Sequence, residues 1–496
     1  MTDSEADRRA EGPLLIRRAR LPGRGLFDLR IAAGRIVALE RQLRPCGSER
    51  LIEARGNVLL PGLHDHHLHL FATAAARASL LCGPPAANDE QSLREALARH
   101  CAQGEGWIRG IGFHDSACAN LDRHWLDGVC ADRPVRIQHR SGMLWVLNSC
   151  ALAHLRLAPG ERLPAGAERA ANGELTGRFF DLDAWLGSRL QKAWPSLRDL
   201  SAELARHGIT GVTDAGARNG RAAWEALCAA CERGEFVQRV LVMGNEELAE
   251  SSRSCQGRIE VGPLKVYLRE VDLPDFDALV LRVQAAHALG RAVAVHCVTR
   301  VELAFALAAL ADSGTLPGDR IEHAAITDAH ALQALAGLGV TVVTQPQFIA
   351  ERGDQYLCDV EADDIALLYR GAGFLRGGVS LAAGSDAPYG STDPWATMRA
   401  AVERRTRAGV QMHADECLGP AQALALFAGD PRRPGSGLRE LAVGQRADLC
   451  LLDVPWEDLC ADLDSRHVEL TVCAGRIAYA AGPGRSQGAG VQAEQG

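Results

Sequence analysis

Short apolar, β-branched segments alternate with Ala- and Leu-rich helical stretches along most of this chain, and nothing else in it limits the fold as much. "NVLLPGLHDHHLH", "ITGVTDAG", "VQRVLVMG", "PLKVYL", "AVAVHC", "RIEHAAI", "VTVVTQP" and "VSLAAGSDAP" read in order as strands. Most are followed by helical patterns such as "DFDALVLRVQAAHALG". Strands apolar on both faces and separated by helices pair in parallel, because each helix returns the chain to the same end of the sheet. Eight such units predict an α/β protein built on a (β/α)8 TIM barrel.

A barrel takes ~250 residues, and the chain has 496. One excess block, residues 71–205, falls between the first and second strand segments. It carries the strand-like "PVRIQHRSGMLWVLN" and helical stretches of its own, so an inserted subdomain within the barrel is expected rather than a long loop. The ends supply the rest. "LLIRRARL" with "LFDLRIAAGRIVALE", and "GQRADLCLLD" with "VELTVCAGRIAYAAG", are both strand-rich and both turn on Gly-Arg-Ile. Residues 1–57 and 430–482 are therefore read as one small composite β-sandwich domain around a barrel spanning 58–429. The tail, 483–496, is poor in apolar residues and is expected to be disordered.

A net charge of -8 with no basic stripe argues against nucleic acid as a partner. No apolar run reaches the roughly 18 residues of a membrane span, and "MTDSEADRRAEG" lacks the apolar core of a secretion signal. A cytoplasmic protein acting on a small molecule, with no membrane partner, is expected; a homodimer is the commonest assembly for such proteins. The 15 cysteines are scattered and odd in number, which reads as thiols rather than a disulfide framework. Cys228 and Cys231 form a CxxC without a second pair, and read as helix neighbours.

The chemistry concentrates in "VLLPGLHDHHLHLF", residues 58–71. Alternate residues of a strand face one side, so His67 and His69 point together and can chelate one metal ion. The same parity puts Asp65 with them as a ligand-orienting carboxylate. His296 ends "AVAVHC", His323 ends "RIEHA" and Asp386 ends "LAAGSDAP", where a barrel places its catalytic residues. Lys265, in the apolar "GPLKVYL", would be costly to bury charged. Burial favours the neutral amine, which can take up carbon dioxide as a carbamate and bridge two cations. The alternative is an outward lysine paired with Glu270 or Asp272.

These residues resemble the amidohydrolase superfamily, most closely its YtcJ-like or amidohydrolase 3 branch, which includes N-substituted formamide deformylase relatives. "PGLHDHHLH" is similar to its PGxxDxHxH motif and "GSDAP" to its eighth-strand aspartate motif. The resemblance runs through "WIRGIG", "LWVLNSCAL", "GRAVAVHCV", "GDRIEHA" and "TQPQF". It implies a divalent metal cofactor, zinc foremost, one or two ions per chain. His67 and His69 would bind the first with Asp386, His296 and His323 the second, and a carboxylated Lys265 would bridge; His64 and His66 would be supporting or substrate-side residues. Where the branch often carries a histidine in a "GHAAWVNS"-like stretch, this chain has "SGMLWVLNS" with Met143.

The implied reaction is hydrolysis of a C–N bond in an N-acyl, N-formyl or related amide by metal-bound hydroxide. Asp386 is the expected catalytic proton shuttle. Candidate substrate contacts are His114 and Asp115 in the insertion, Gln345, Gln347, Phe348, Arg352 and Tyr356 after strand seven, and Tyr389 and Trp395 after strand eight. One rival is a one-metal deaminase of a ring amine or cyclic amide. That class carries HxxE after the strand-five histidine, where this chain has Thr299, with Glu302 three residues on. The other rival is a non-catalytic scaffold, which would have no need of the full ligand set.

Overall fold

In the computed structural model, the described residues are 12–482 except 104, 159, 191–193 and 251–256. The expected disorder of 483–496 concerns residues outside this set. The chain divides into two compact units, one of residues up to Leu70 together with those from Ser196 onward, the other Phe71–Pro195.

The first unit holds an eight-stranded parallel sheet whose order follows the chain. Its strands are β1 (Leu63–Leu68), β2 (Ile209–Asp214), β3 (Arg239–Gly244), β4 (Ile259–Tyr267), β5 (Val293–Cys297), β6 (Arg320–His323), β7 (Thr341–Thr344) and β8 (Leu381–Ala383). Each overlaps one of the segments read as a strand, β4 beginning four residues before its segment. Their Val, Ile, Leu and Ala side chains are buried except Val261 near the start of β4, as a sheet covered on its outer face and packed inside requires. The last strand is short, and closure onto β1 is made just beyond it. Asp386 N–H donates to the His67 carbonyl at 2.7 Å, and His69 N–H donates to the Ala387 carbonyl at 2.9 Å. The two ends of the metal motif are thus stitched together by the backbone that closes the barrel.

The pairing of β1 with β2 slips between Asp65 and Leu68. An extra residue in one strand breaks the alternation of faces, so the parity argument for "HDHHLH" does not hold through the stretch. Asp65 accepts the N–H groups of His67 (3.1 Å) and Ser385 (3.0 Å). It orients His67 through its backbone and ties β1 to the loop after β8.

Leu14–Leu21, Gly25–Ala32, Arg35–Glu40 and Arg50–Glu53 form a four-stranded sheet; Leu59–Pro61 joins Leu449–Leu452, Val468–Cys473 and Arg476–Ala480 in another. One core takes Ile16, Leu29 and Ile36 from the first sheet and Leu449, Leu451 and Val472 from the second. Both Gly-Arg-Ile motifs leave hairpin turns in the left-handed region, at Ala33–Gly34 and Ala474–Gly475. The tips touch, for a Cβ on Gly34 would lie 3.0 Å from the Ala474 carbonyl.

The second unit is a six-stranded sheet with an apolar core on each face. It ends at Pro195, ten residues short of the boundary read from sequence. The helix Arg198–Arg206 instead buries Leu200 and Leu204 in the first unit, where Thr471 donates to the Ala205 carbonyl at 2.7 Å. The reading of all cysteines as thiols is corrected at one pair: Cys101 and Cys130 form a disulfide, with Cα atoms 6.0 Å apart. Cys101 lies in the last turn of the helix Glu90–Ala102 and Cys130 follows the helix Arg123–Asp127, a proximity invisible in the linear chain. Cys228 and Cys231 lie on the helix Arg221–Glu232, as expected. No helix among the described residues is long and apolar enough to cross a membrane.

Candidate metal centre

Four histidine rings line up across the C-terminal ends of the strands. Ring centroids are 5.5 Å apart for His69 and His67, 4.9 Å for His67 and His323, and 4.5 Å for His323 and His296. Asp386 Oδ1 stands 3.4 Å from His67 Nε2 and 3.3 Å from His69 Nε2. One ligand atom from each of these three residues falls within 4.8 Å of the others, which suits a single divalent ion. The backbone is unusual here. His323 (φ 70°), Ala324 (φ 46°) and Asp386 (φ 50°) occupy the left-handed region that side chains avoid, a cost of order 1–3 kcal/mol each.

Lys265 is 3% exposed, and its Nζ is buried with no hydrogen-bond partner. Burial brings its pKa from 10.5 down to about 8, against the pull of Glu322 and Asp386. Glu270 and Asp272 are exposed, so the outward-pairing alternative fails. Burial and the neighbouring cations also depress His296 to about 2 and His323 to about 4. Asp386 lies well below the carboxylate range: burial pushes it up, but His67 and His69 outweigh that. A carboxylate, four imidazoles and an orphaned amine together fit a divalent metal site.

Two charged residues of this centre went unread in the sequence. Glu322 bridges His67 and Arg320: one carboxylate oxygen meets His67 Nδ1, and the other forms an ion pair with Arg320 Nε at 2.6 Å. All three are essentially fully buried. Burial raises the Glu322 pKa, but Arg320 and Lys265 reverse this and hold it well below the usual range. The clue was present in "RIEH", where two charges sit in a buried strand, the argument already applied to Lys265. Tyr267 was also missed. It follows Lys265 by two residues, lies 4.4 Å from the His296 ring, and is 56% exposed.

Glu302 is committed elsewhere. It accepts the N–H groups of Glu270 (2.9 Å), Val298 (2.7 Å) and Thr299 (3.1 Å), and completes a capping box on the helix Arg300–Ser313. Glu302, three residues past the HxxE position that Thr299 occupies, is thus a structural cap. His64 Nε2 meets Thr213 Oγ1 at 2.9 Å, and His66 is fully buried with its ring 4.7 Å from that of His64.

The candidate substrate residues separate into distinct environments. Gln345 Oε1 accepts from His323 Nδ1 at 2.8 Å, leaving Nε2 as that ring's free nitrogen. Gln347 donates to the Gly384 and Ser385 carbonyls at 3.2 and 2.8 Å, bracing the loop that carries Asp386. Arg352 lies over the Phe348 ring at 4.1 Å and donates to the Tyr389 carbonyl. Tyr356 stacks on Tyr369 within an apolar cluster that also holds Phe348. Trp395 is fully buried and donates to the His207 carbonyl at 2.9 Å, so it cannot meet a substrate. Tyr389 is 63% exposed, with its ring 6.1 Å from that of His69. His114 and Asp115 belong to the second unit, where they meet Ser116 and His139; Met143 there is exposed.

The parallel barrel gathers histidines, a buried lysine and an aspartate at its strand ends, where three of them could hold an ion. A family model described as the Amidohydrolase family matches residues 50–479, and the chain belongs to that family. It is a hydrolase acting on carbon–nitrogen bonds, of the YtcJ-like branch. It is 25% identical to the N-substituted formamide deformylase of Arthrobacter pascens, over 89% of this chain and 92% of that protein. YtcJ of Bacillus subtilis (strain 168) is 24% identical, over 86% of this chain and 90% of its own. Among solved structures, a metal-dependent hydrolase from Pyrococcus horikoshii OT3 is similar with a TM-score of 0.75 and 20% identity, over 89% of this chain and 97% of that one.

Proposed function

We propose that the chain hydrolyses the C–N bond of a small N-acyl or N-formyl amide in a zinc-dependent reaction, with Asp386 moving the proton. The buried, unpartnered amine of Lys265 among the histidines carries this reading, because it has no evident structural task. His67, His69 and Asp386 would hold one ion, His296 and His323 a second, and Lys265 would join them as a carbamate. In forming it, the neutral Nζ bonds to the carbon of carbon dioxide and one proton leaves. The product presents two oxygens where the amine presented one nitrogen. Bound divalent ions supply a water of lowered pKa and polarise the scissile carbonyl. Asp386, held ionised, takes the proton of the attacking water on a carboxylate oxygen and returns it to the leaving nitrogen. The similarity to a formamide deformylase supports formyl amides as the first substrates to screen.

The test is metal content per chain for the wild type and Lys265→Ala, each purified without chelators. Two zinc ions in the wild type, with loss in the variant, supports the bridged centre. One ion in both leaves Lys265 without a metal role and brings ring-amine and cyclic-amide substrates forward.

A further inference from the structure

We propose that Glu322, held by Arg320, is a positioning residue that fixes His67 as a metal ligand; this rests on the reading that His67 binds a metal ion. β6 supplies both charges. Its alternation turns Arg320 and Glu322 to one side, inside the barrel, while His323 ends the strand at the neighbouring position. The carboxylate divides its oxygens, one to His67 Nδ1 and one to Arg320 Nε. With Nδ1 engaged by Glu322, Nε2 is the nitrogen left for a metal ion, and it is the one directed at Asp386 Oδ1. A carboxylate on the far nitrogen fixes the ring's tautomer and angle and makes it a stronger donor.

Packing alone does not explain the pair. A buried ion pair contributes little net stability over apolar residues of the same volume, and this one lies at the centre of a barrel that such residues fill elsewhere. Around it, Met243, Ala294 and Ala215 form an apolar cluster. Arg320 reaches past this layer, donating to the His66 carbonyl at 3.2 Å and approaching the Met243 sulfur at 3.4 Å. It thereby anchors Glu322 to the backbone of the same strand that carries His67. The histidine on the other side of the centre is held differently, for His323 Nδ1 meets a neutral amide, Gln345. The chain therefore places its full negative charge behind one ligand and countercharges it from below.

The experiment measures zinc affinity of the full chain by competition with a chromophoric chelator, alongside thermal melting in excess chelator. Glu322→Gln removes the charge. Because it leaves Arg320 buried without its partner, the double variant Glu322→Gln/Arg320→Met is made as well, together with Glu322→Asp, which keeps the charge but withdraws the oxygen from Nδ1. Zinc binding roughly 10- to 100-fold weaker is expected in all three, with the double variant and Glu322→Asp melting like the wild type when metal-free. Wild-type affinity in the double variant or in Glu322→Asp would overturn the proposal and leave the pair a packing element. His67→Ala separates the two levels of inference. If it binds zinc as the wild type does, the metal-centre reading itself fails; if it loses zinc while the Glu322 variants retain it, only the positioning role fails.

Discussion

Replacing Lys265 by methionine should stabilise the metal-free protein while abolishing the proposed bridged metal centre. The ammonium is buried without a hydrogen-bond partner, and its pKa falls from 10.5 to about 8. At about 1.4 kcal/mol per pH unit, the folded state holds the charged form at a cost of roughly 3 kcal/mol. The sign follows from proton linkage. Between pH 8 and 10.5 the unfolded chain binds the proton and the folded chain releases it, so wild-type stability rises with pH across that window. Below the window the full penalty applies; above it there is none. Methionine has similar volume and binds no proton. In chelator at pH 7, Lys265→Met should therefore be more stable than wild type by up to roughly 3 kcal/mol, and the difference should shrink to near zero by about pH 10.5. Denaturation in urea at several pH values measures both quantities. Equal stability at pH 7, or a difference that does not change with pH, would refute the claim that this lysine is desolvated at the centre. With zinc present the order should reverse, because the ions stabilise only the chain that binds them.

Asp386→Asn should lower kcat by about 10²- to 10⁴-fold with little change in KM, since the amide cannot carry the proton; a change confined to KM in steady-state kinetics would remove it from proton transfer. Glu302→Gln should cost about 1–3 kcal/mol of stability by weakening three backbone caps, with kcat/KM per folded molecule unchanged. A large loss of turnover at unchanged stability would instead restore the one-metal deaminase. Gly384→Ala would drive a methyl group into the backbone of His67. Zinc content should fall although Gly384 is not itself a ligand, and full zinc content would show that the β1–β8 seam can yield.

The strand segments were legible because a buried parallel strand must be apolar on both faces, and the β-branched runs between helical stretches satisfy no other arrangement as well. His67, His69, Lys265, His296, His323 and Asp386 were legible for a related reason: each is a polar residue at the end of, or within, an apolar strand, where only a specific partner justifies it. The same rule would have found Arg320 and Glu322, but both are spent on partners distant in the chain, so their role emerges only with His67 beside them. Gln347 and Trp395 looked like substrate residues because they follow strands. Their N–H groups are taken by the Gly384, Ser385 and His207 carbonyls, and nothing in a linear reading shows those acceptors.

What the amino-acid sequence alone determined is thus the set of elements and the residue types offered at strand ends, since hydrophobic periodicity and the cost of burying charge are local properties. Which nitrogen of His67 and His323 is engaged by a partner, which carboxylate faces the ligands, and which glutamate caps a helix were decided only by tertiary structure. Hydrogen bonds act over about 3 Å, and barrel closure brings residues such as His67 and Glu322, 255 positions apart, within that range.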